Sequence, residues 1–137
     1  QVGKSLRIAI CRRMDTEEQQ KEKMQQEYEA GGKKPKKIEP IWEIMINPEI
    51  IFKSQESSTK WEGCLSVNEG QLFGQVKRPK IVKVKYTMVD GTQKELTADG
   101  YFSHVVQHEL DHLEGILFLK YIEDPTQLYT SEEIEDL

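Results

Sequence analysis

Between Ile81 and Val89 apolar and polar residues alternate for most of the run, the period of a strand with one face buried. Asp90-Gly91 follows, a strong hairpin-turn signal, and Gln93–Thr97 is the expected returning strand. Asp99-Gly100 then opens a helix predicted from about Tyr101 to Leu113, with Gly115 closing it. Further strands are expected at Leu6–Cys11, at Ile41–Ile46 with Asn47-Pro48 as its end, and at Ile50–Lys53. Trp61 to Val76 mixes glycine with apolar residues and reads as short strands and turns. Strands followed by a helix, with no βαβ alternation, predict an α+β, mainly antiparallel fold.

The rest of the chain adds limits. At 137 residues it fits one domain with one core. Lys and Arg number 19 against 24 Asp and Glu, and a net charge of −5 argues against a general nucleic-acid binder. Two cysteines, Cys11 and Cys64, suit a reducing compartment rather than a disulfide scaffold. No apolar run approaches the ~20 residues of a membrane span. Arg12–Lys37 is almost wholly charged or polar and reads as an exposed insertion, helical or disordered; docking of an acidic partner is its functional alternative. The stretch 122–137 reads as an acidic tail. The chain opens at Gln1, just ahead of a strand and without Met, and is expected to be a single domain, 1–137, lacking its N-terminal segment.

The predicted helix carries the chemistry. His108-Glu109-Leu110-Asp111-His112 is H-E-x-x-H, which places two imidazoles one turn apart on one face, where both can reach one metal ion. Glu109, one position after the first ligand, can stand beside a metal-bound water as proton acceptor. His104 extends the stripe by another turn, but the outer two rings are ~12 Å apart along the axis. His104 is therefore read as a pocket or packing residue. A catalytic metal needs a third protein ligand, and the residues leave the choice open. In H-E-x-x-H-x-x-G-x-x-H proteases the third ligand falls where this chain has Phe118, which cannot bind a metal. Thermolysin-like proteases use a downstream Glu, here Glu132, which would make a zinc endopeptidase. Cys64 is the remaining candidate.

Cys64 lies in Glu62-Gly63-Cys64-Leu65-Ser66. That segment, with Gln107-His108-Glu109-Leu110-Asp111-His112-Leu113-Glu114-Gly115, resembles the second and third signature motifs of the peptide deformylase family. Of the family's glycine-rich first motif only the final glutamine is present, as Gln1. The resemblance spans Gln1 to about Tyr121, apart from the 12–37 insertion, and implies the deformylase fold with the helix binding metal at its centre. It makes Cys64, His108 and His112 the ligands, Glu109 the general acid/base, and Gln1 with the Leu65 backbone N–H the oxyanion donors. It implies one divalent metal, ferrous iron natively, with zinc, nickel or cobalt suited to the same ligands. The implied reaction removes formyl from N-terminal formyl-Met and releases formate. The implied partner is a formyl-Met peptide or nascent polypeptide, with ribosome association, and the implied compartment is the bacterial-type cytoplasm or an organelle. Gly63 is expected to bind substrate, Tyr101 and Val105 either to line an apolar pocket for its first side chain or to pack in the core, and this chain alone is expected to bind metal yet deformylate poorly. Cys11 is read as buried packing, Arg78 as neutralising Glu62, and Asp111 as a structural hydrogen-bonding residue. A metal-stabilised interaction module displaying the insertion is the non-enzymatic alternative.

Overall fold

The computed structural model describes residues 7–137. Gln1 lies outside the described residues.

Two antiparallel sheets flank one helix. The elements that build them are strand β1 (Ile8–Arg12), helix α1 (Met14–Glu29), and strands β2 (Trp42–Lys53), β3 (Ser57–Gly63), β4 (Leu72–Pro79), β5 (Ile81–Thr87) and β6 (Gln93–Asp99). Helix α2 (Gly100–Leu113), strand β7 (Tyr129–Thr130) and helix α3 (Ser131–Glu135) complete them. The first sheet has the order β1-β2-β5-β6 and the second β3-β4-β7. The Asp90-Gly91 hairpin joins β5 to β6 in the expected register, Thr87 opposite Gln93.

Helix α2 divides its faces between the sheets. Phe102, Val106 and Leu110 are buried against Ala9, Cys11, Met45, Val82, Val84, Tyr86 and Ala98 of the first sheet. His104, His108 and His112 are two residues out of phase with that stripe, ~200° around the helix. They face the second sheet, where Cys64, Val67, Val76 and Phe118 form a smaller core. The helix ends as expected: Gly115 adopts φ 71°, its N–H bonds to His112 O, and the Ile116 N–H bonds to Asp111 O. This is a Schellman closure, which favours glycine at the left-handed position.

One expectation needs revision. Asn47-Pro48 does not end a strand, because β2 runs through it to Lys53. Asn47 tolerates a left-handed φ of 50°, and Pro48 lacks only a ladder donor. The pair therefore makes a register shift between Ile46 and Glu49. The insertion is helical and mostly exposed, but its base is fastened. Glu17 is buried, accepting bonds from Arg12 Nε and, at 2.9 Å, from the Ile41 N–H. The acidic tail also packs: Tyr129–Thr130 pairs with Leu72–Phe73, and a capping box between Thr130 and Glu133 starts α3. Among the described residues no helix is long and apolar enough to cross a membrane.

Candidate metal centre and cleft

The centre is organised by a carboxylate. Glu62 lies near the end of β3 and Cys64 is the first residue after it, two positions on, where the strand's alternation would carry both side chains to one side. Glu62 is buried and saturated with donors. Its Oε1 accepts from an Arg78 terminal nitrogen at 2.9 Å and His108 Nδ1 at 2.9 Å. Its Oε2 accepts from Arg78 Nε at 2.7 Å and His104 Nδ1 at 3.0 Å. Burial alone would raise the Glu62 carboxyl, but the bonds from Arg78, His104 and His108 outweigh it and hold the group well below the usual carboxylate range. An ionised carboxylate only accepts hydrogen bonds. Nδ1 of His108 therefore carries the hydrogen, and Nε2 presents its lone pair toward Cys64. Its bond to Glu62 also raises the His108 pKa against the opposing effect of burial, with Cys64 adding to the rise.

Cys64, His108 and His112 bring one ligand atom each within 4.8 Å of one another. Cys64 Sγ and His112 Nε2 are 3.4 Å apart. A tetrahedral ion with ordinary metal–sulfur and metal–nitrogen bonds needs ligand separations of about 3.3–3.6 Å. One thiolate, two imidazoles and a carboxylate orienting one ring are a donor set that fits a divalent transition metal. Glu132 is exposed on α3 and outside this group. Phe118, unable to ligate, is buried and stacks on the His108 ring with centroids 6.3 Å apart.

Behind the hub, a second Arg78 terminal nitrogen donates to Asp111 at 2.8 Å, and Tyr121 Oη donates to the same carboxylate at 2.7 Å. The Arg78 guanidinium lies 4.6 Å from the centre of the Tyr121 ring. The readings of Arg78 as partner of Glu62 and of Asp111 as structural both hold, and Cys11 is fully buried in the first core. His104 is buried, with Ser58 Oγ 3.0 Å from its Nε2.

A cleft of about 590 Å³ opens beside the ligands, between β3 and α2. Glu109 and Gly63, each next to a candidate ligand in sequence, line it together with Tyr101, Val105, Lys60, Trp61 and Phe73. Glycine is required at 63, because a Cβ there would come within 2.6 Å of the Phe73 ring. Glu109 Oε2 is 3.8 Å from His112 Nδ1, beyond hydrogen-bond length, so this carboxylate is free to face the cleft. Leu65 is exposed in the turn that follows Cys64, where the Val67 N–H closes onto Cys64 O at 2.9 Å. Sequence reasoning missed Ser58, Phe73 and the full role of Glu62. The last had a signal, since a strand's alternation would carry an acidic residue two before a ligand to the same side.

The family model for polypeptide deformylase matches residues 1–127. The chain belongs to the polypeptide deformylase family. A peptide deformylase of Bradyrhizobium sp. (strain BTAi1 / ATCC BAA-1182) is 46% identical over 94 residues, 69% of this chain and 50% of that protein. Among solved structures, a peptide deformylase from Synechococcus elongatus in complex with actinonin matches with a TM-score of 0.59 at 35% identity, over 66% of this chain and 47% of that one. The Met-Ala-Ser-bound class I type b peptide deformylase of Acinetobacter baumannii matches with a TM-score of 0.55 at 42% identity, over 63% and 52%. The chain thus spans about half the length of the deformylases it matches. The family resemblance drawn from the two motifs is borne out, as is the α+β fold of antiparallel sheets about α2.

Proposed function

We propose that this chain is the metal-binding part of a deformylase that hydrolyses the formamide of N-terminal formyl-Met, releasing formate and a free amine. The observation that carries the reading is the convergence of Cys64, His108 and His112 under the Glu62 hub, beside a cleft that Glu109 enters. These three residues would hold one divalent ion, natively ferrous iron, with zinc, nickel or cobalt as substitutes. When bound there, the ion lowers the pKa of water toward neutrality and polarises the formyl carbonyl.

The protein's own groups supply the remaining chemistry. Glu109 takes a proton as water adds to the formyl carbon, and returns it to the nitrogen as the C–N bond breaks. The Leu65 backbone N–H and the Gln1 side chain donate to the carbonyl oxygen as it gains charge; loss of one such donor typically costs ~3 kcal/mol. Gly63 lets the substrate backbone approach, while Tyr101 and Val105 hold the first side chain. Glu62 keeps His108 in the tautomer that ligation needs. The Met-Ala-Ser bound to the Acinetobacter baumannii deformylase is the kind of product expected here. The substrate in the cell is a nascent polypeptide, met at the ribosome in the cytoplasm.

The test is formate release from formyl-Met-Ala-Ser by the ferrous-loaded chain, with metal content measured in parallel. Cys64→Ala should lose metal and activity together. Glu109→Gln should keep metal and lose turnover by ~10²–10⁴-fold. Metal retained in Cys64→Ala, or lost in Glu109→Gln, overturns the assignment.

A further inference from the structure

The cleft is not uniformly apolar. Besides Tyr101 and Val105 its lining includes Lys60, an exposed residue of β3. Lys60 takes part in none of the ion pairs found among the described residues. The nearest carboxylate along the strand, Glu62, is committed to Arg78, His104 and His108. Glu109, the other acid lining the cleft, is next to the candidate ligand His108 in sequence. The cleft therefore has both a catalytic carboxylate and an uncommitted cation in its lining.

We propose that Lys60 is a specificity-determining residue, selecting formyl-peptides that carry a carboxylate two residues beyond the formylated one. The proposal rests on the deformylase reading above. Lys60 stands four residues before Cys64, about 13 Å along an extended chain. A bound peptide in extended conformation alternates its side chains, so the first and third share a face. With the first side chain entering the cleft between Tyr101 and Val105 of α2 and the facing strand β3, the third leaves the peptide on the same side, where Lys60 also lines the cleft. Its Cα is then about 10 Å from the formyl carbon, within reach of the flexible lysine stem. A glutamate there meets the ammonium, whereas a glutamine offers only a neutral amide.

The experiment compares C-terminally amidated formyl-Met-Ala-Glu and formyl-Met-Ala-Gln on the ferrous-loaded chain and on Lys60→Glu. In the unsubstituted chain kcat/KM should favour Glu by about threefold at low salt, the size of one half-exposed ion pair. The preference should shrink toward unity at 1 M salt, and Lys60→Glu should reverse it. Binding of the deformylated peptides, followed by the fluorescence of Trp61 in the cleft, reads the same order without turnover. Equal binding and equal kcat/KM for the two peptides overturns the role of Lys60 while leaving the deformylase reading intact. A salt-sensitive binding preference without any formate release supports Lys60 and overturns the deformylase reading instead.

Discussion

Replacing Glu62 by Gln changes one buried oxygen for an amide nitrogen of nearly the same size. Each Glu62 oxygen accepts one bond from Arg78 and one from a histidine Nδ1. Whichever way the amide is turned, its NH₂ faces one Arg78 N–H, which becomes a donor–donor contact, and one histidine Nδ1, which can keep a bond only by moving its hydrogen to Nε2. The Arg78 side chain is only 3% exposed and keeps only Asp111 as a counter-charge. Breaking one partner out of a buried ion pair costs about 3–5 kcal/mol, a large share of the ~5–15 kcal/mol that holds a domain folded. The same change releases the His108 tautomer, and losing such an orienting partner typically weakens metal binding ~10–100-fold. Urea unfolding of the apo chain reads the first loss, and competition with a chromogenic chelator reads the second. The double variant Glu62→Gln/Arg78→Gln should cost less than the sum of its parts by more than about 1 kcal/mol, because the uncompensated cation is gone. A Glu62→Gln chain destabilised by less than about 1 kcal/mol, with unchanged metal affinity, would refute the hub.

Two further outcomes follow from buried titratable groups. Burial would raise the Glu43 carboxyl, but bonds from Tyr86 and Lys94 and the charge of Arg13 hold it below its ordinary 4.5. Its stabilising contribution is then complete above the unfolded value and is lost as pH falls through the lower folded one. Urea midpoints measured downward from pH 5 should drop more steeply in the unsubstituted chain than in Glu43→Gln, and parallel curves would count against the cluster. Burial, with Glu109 and Glu43 adding, pushes the Cys11 thiol up to about 12. Iodoacetamide at pH 8 should leave it unlabelled until denaturant is added, and labelling of Cys11 in the folded chain would contradict this.

The fold was legible where local chemistry decides it. Alternation and Asp-Gly set the β5–β6 hairpin, and Gly115 set the end of α2, because a left-handed residue is needed there whatever packs nearby. At Asn47-Pro48 the local signal was a stop, yet pairing of β2 with β5 on both sides carried the strand through with a bulge. No single-chain pattern encodes that pairing. The histidine pair was legible because helix spacing places both rings on one face, whereas Cys64 was reached only through the resemblance of its motif, since the residues alone left the third ligand open. The carboxylate hub was only partly legible, since four donors from two elements converge on Glu62 only once β3 and α2 are packed together. The bonds of Ser58 with His104 and of Phe118 with the His108 ring are likewise products of packing, not of any motif.

The phase of α2 gives a last expectation, one that separates folding from chemistry. Val106 is fully buried among the first-sheet strands, and His108, only two residues on, faces the other sheet. Val106→Ala removes two carbon atoms, worth ~1.6 kcal/mol of transfer free energy, and leaves a small cavity that brings the loss to about 2 kcal/mol. The melting temperature should fall by roughly 8 °C. Metal affinity measured well below the transition should change less than twofold, because nothing in the Glu62–His108–Cys64 group touches that face. The comparison is informative because the helix could instead answer as one rigid rod, tilting into the new cavity and dragging its histidines from Cys64. In that case affinity would fall in step with stability, and the two faces of α2 would have to be treated as one coupled unit.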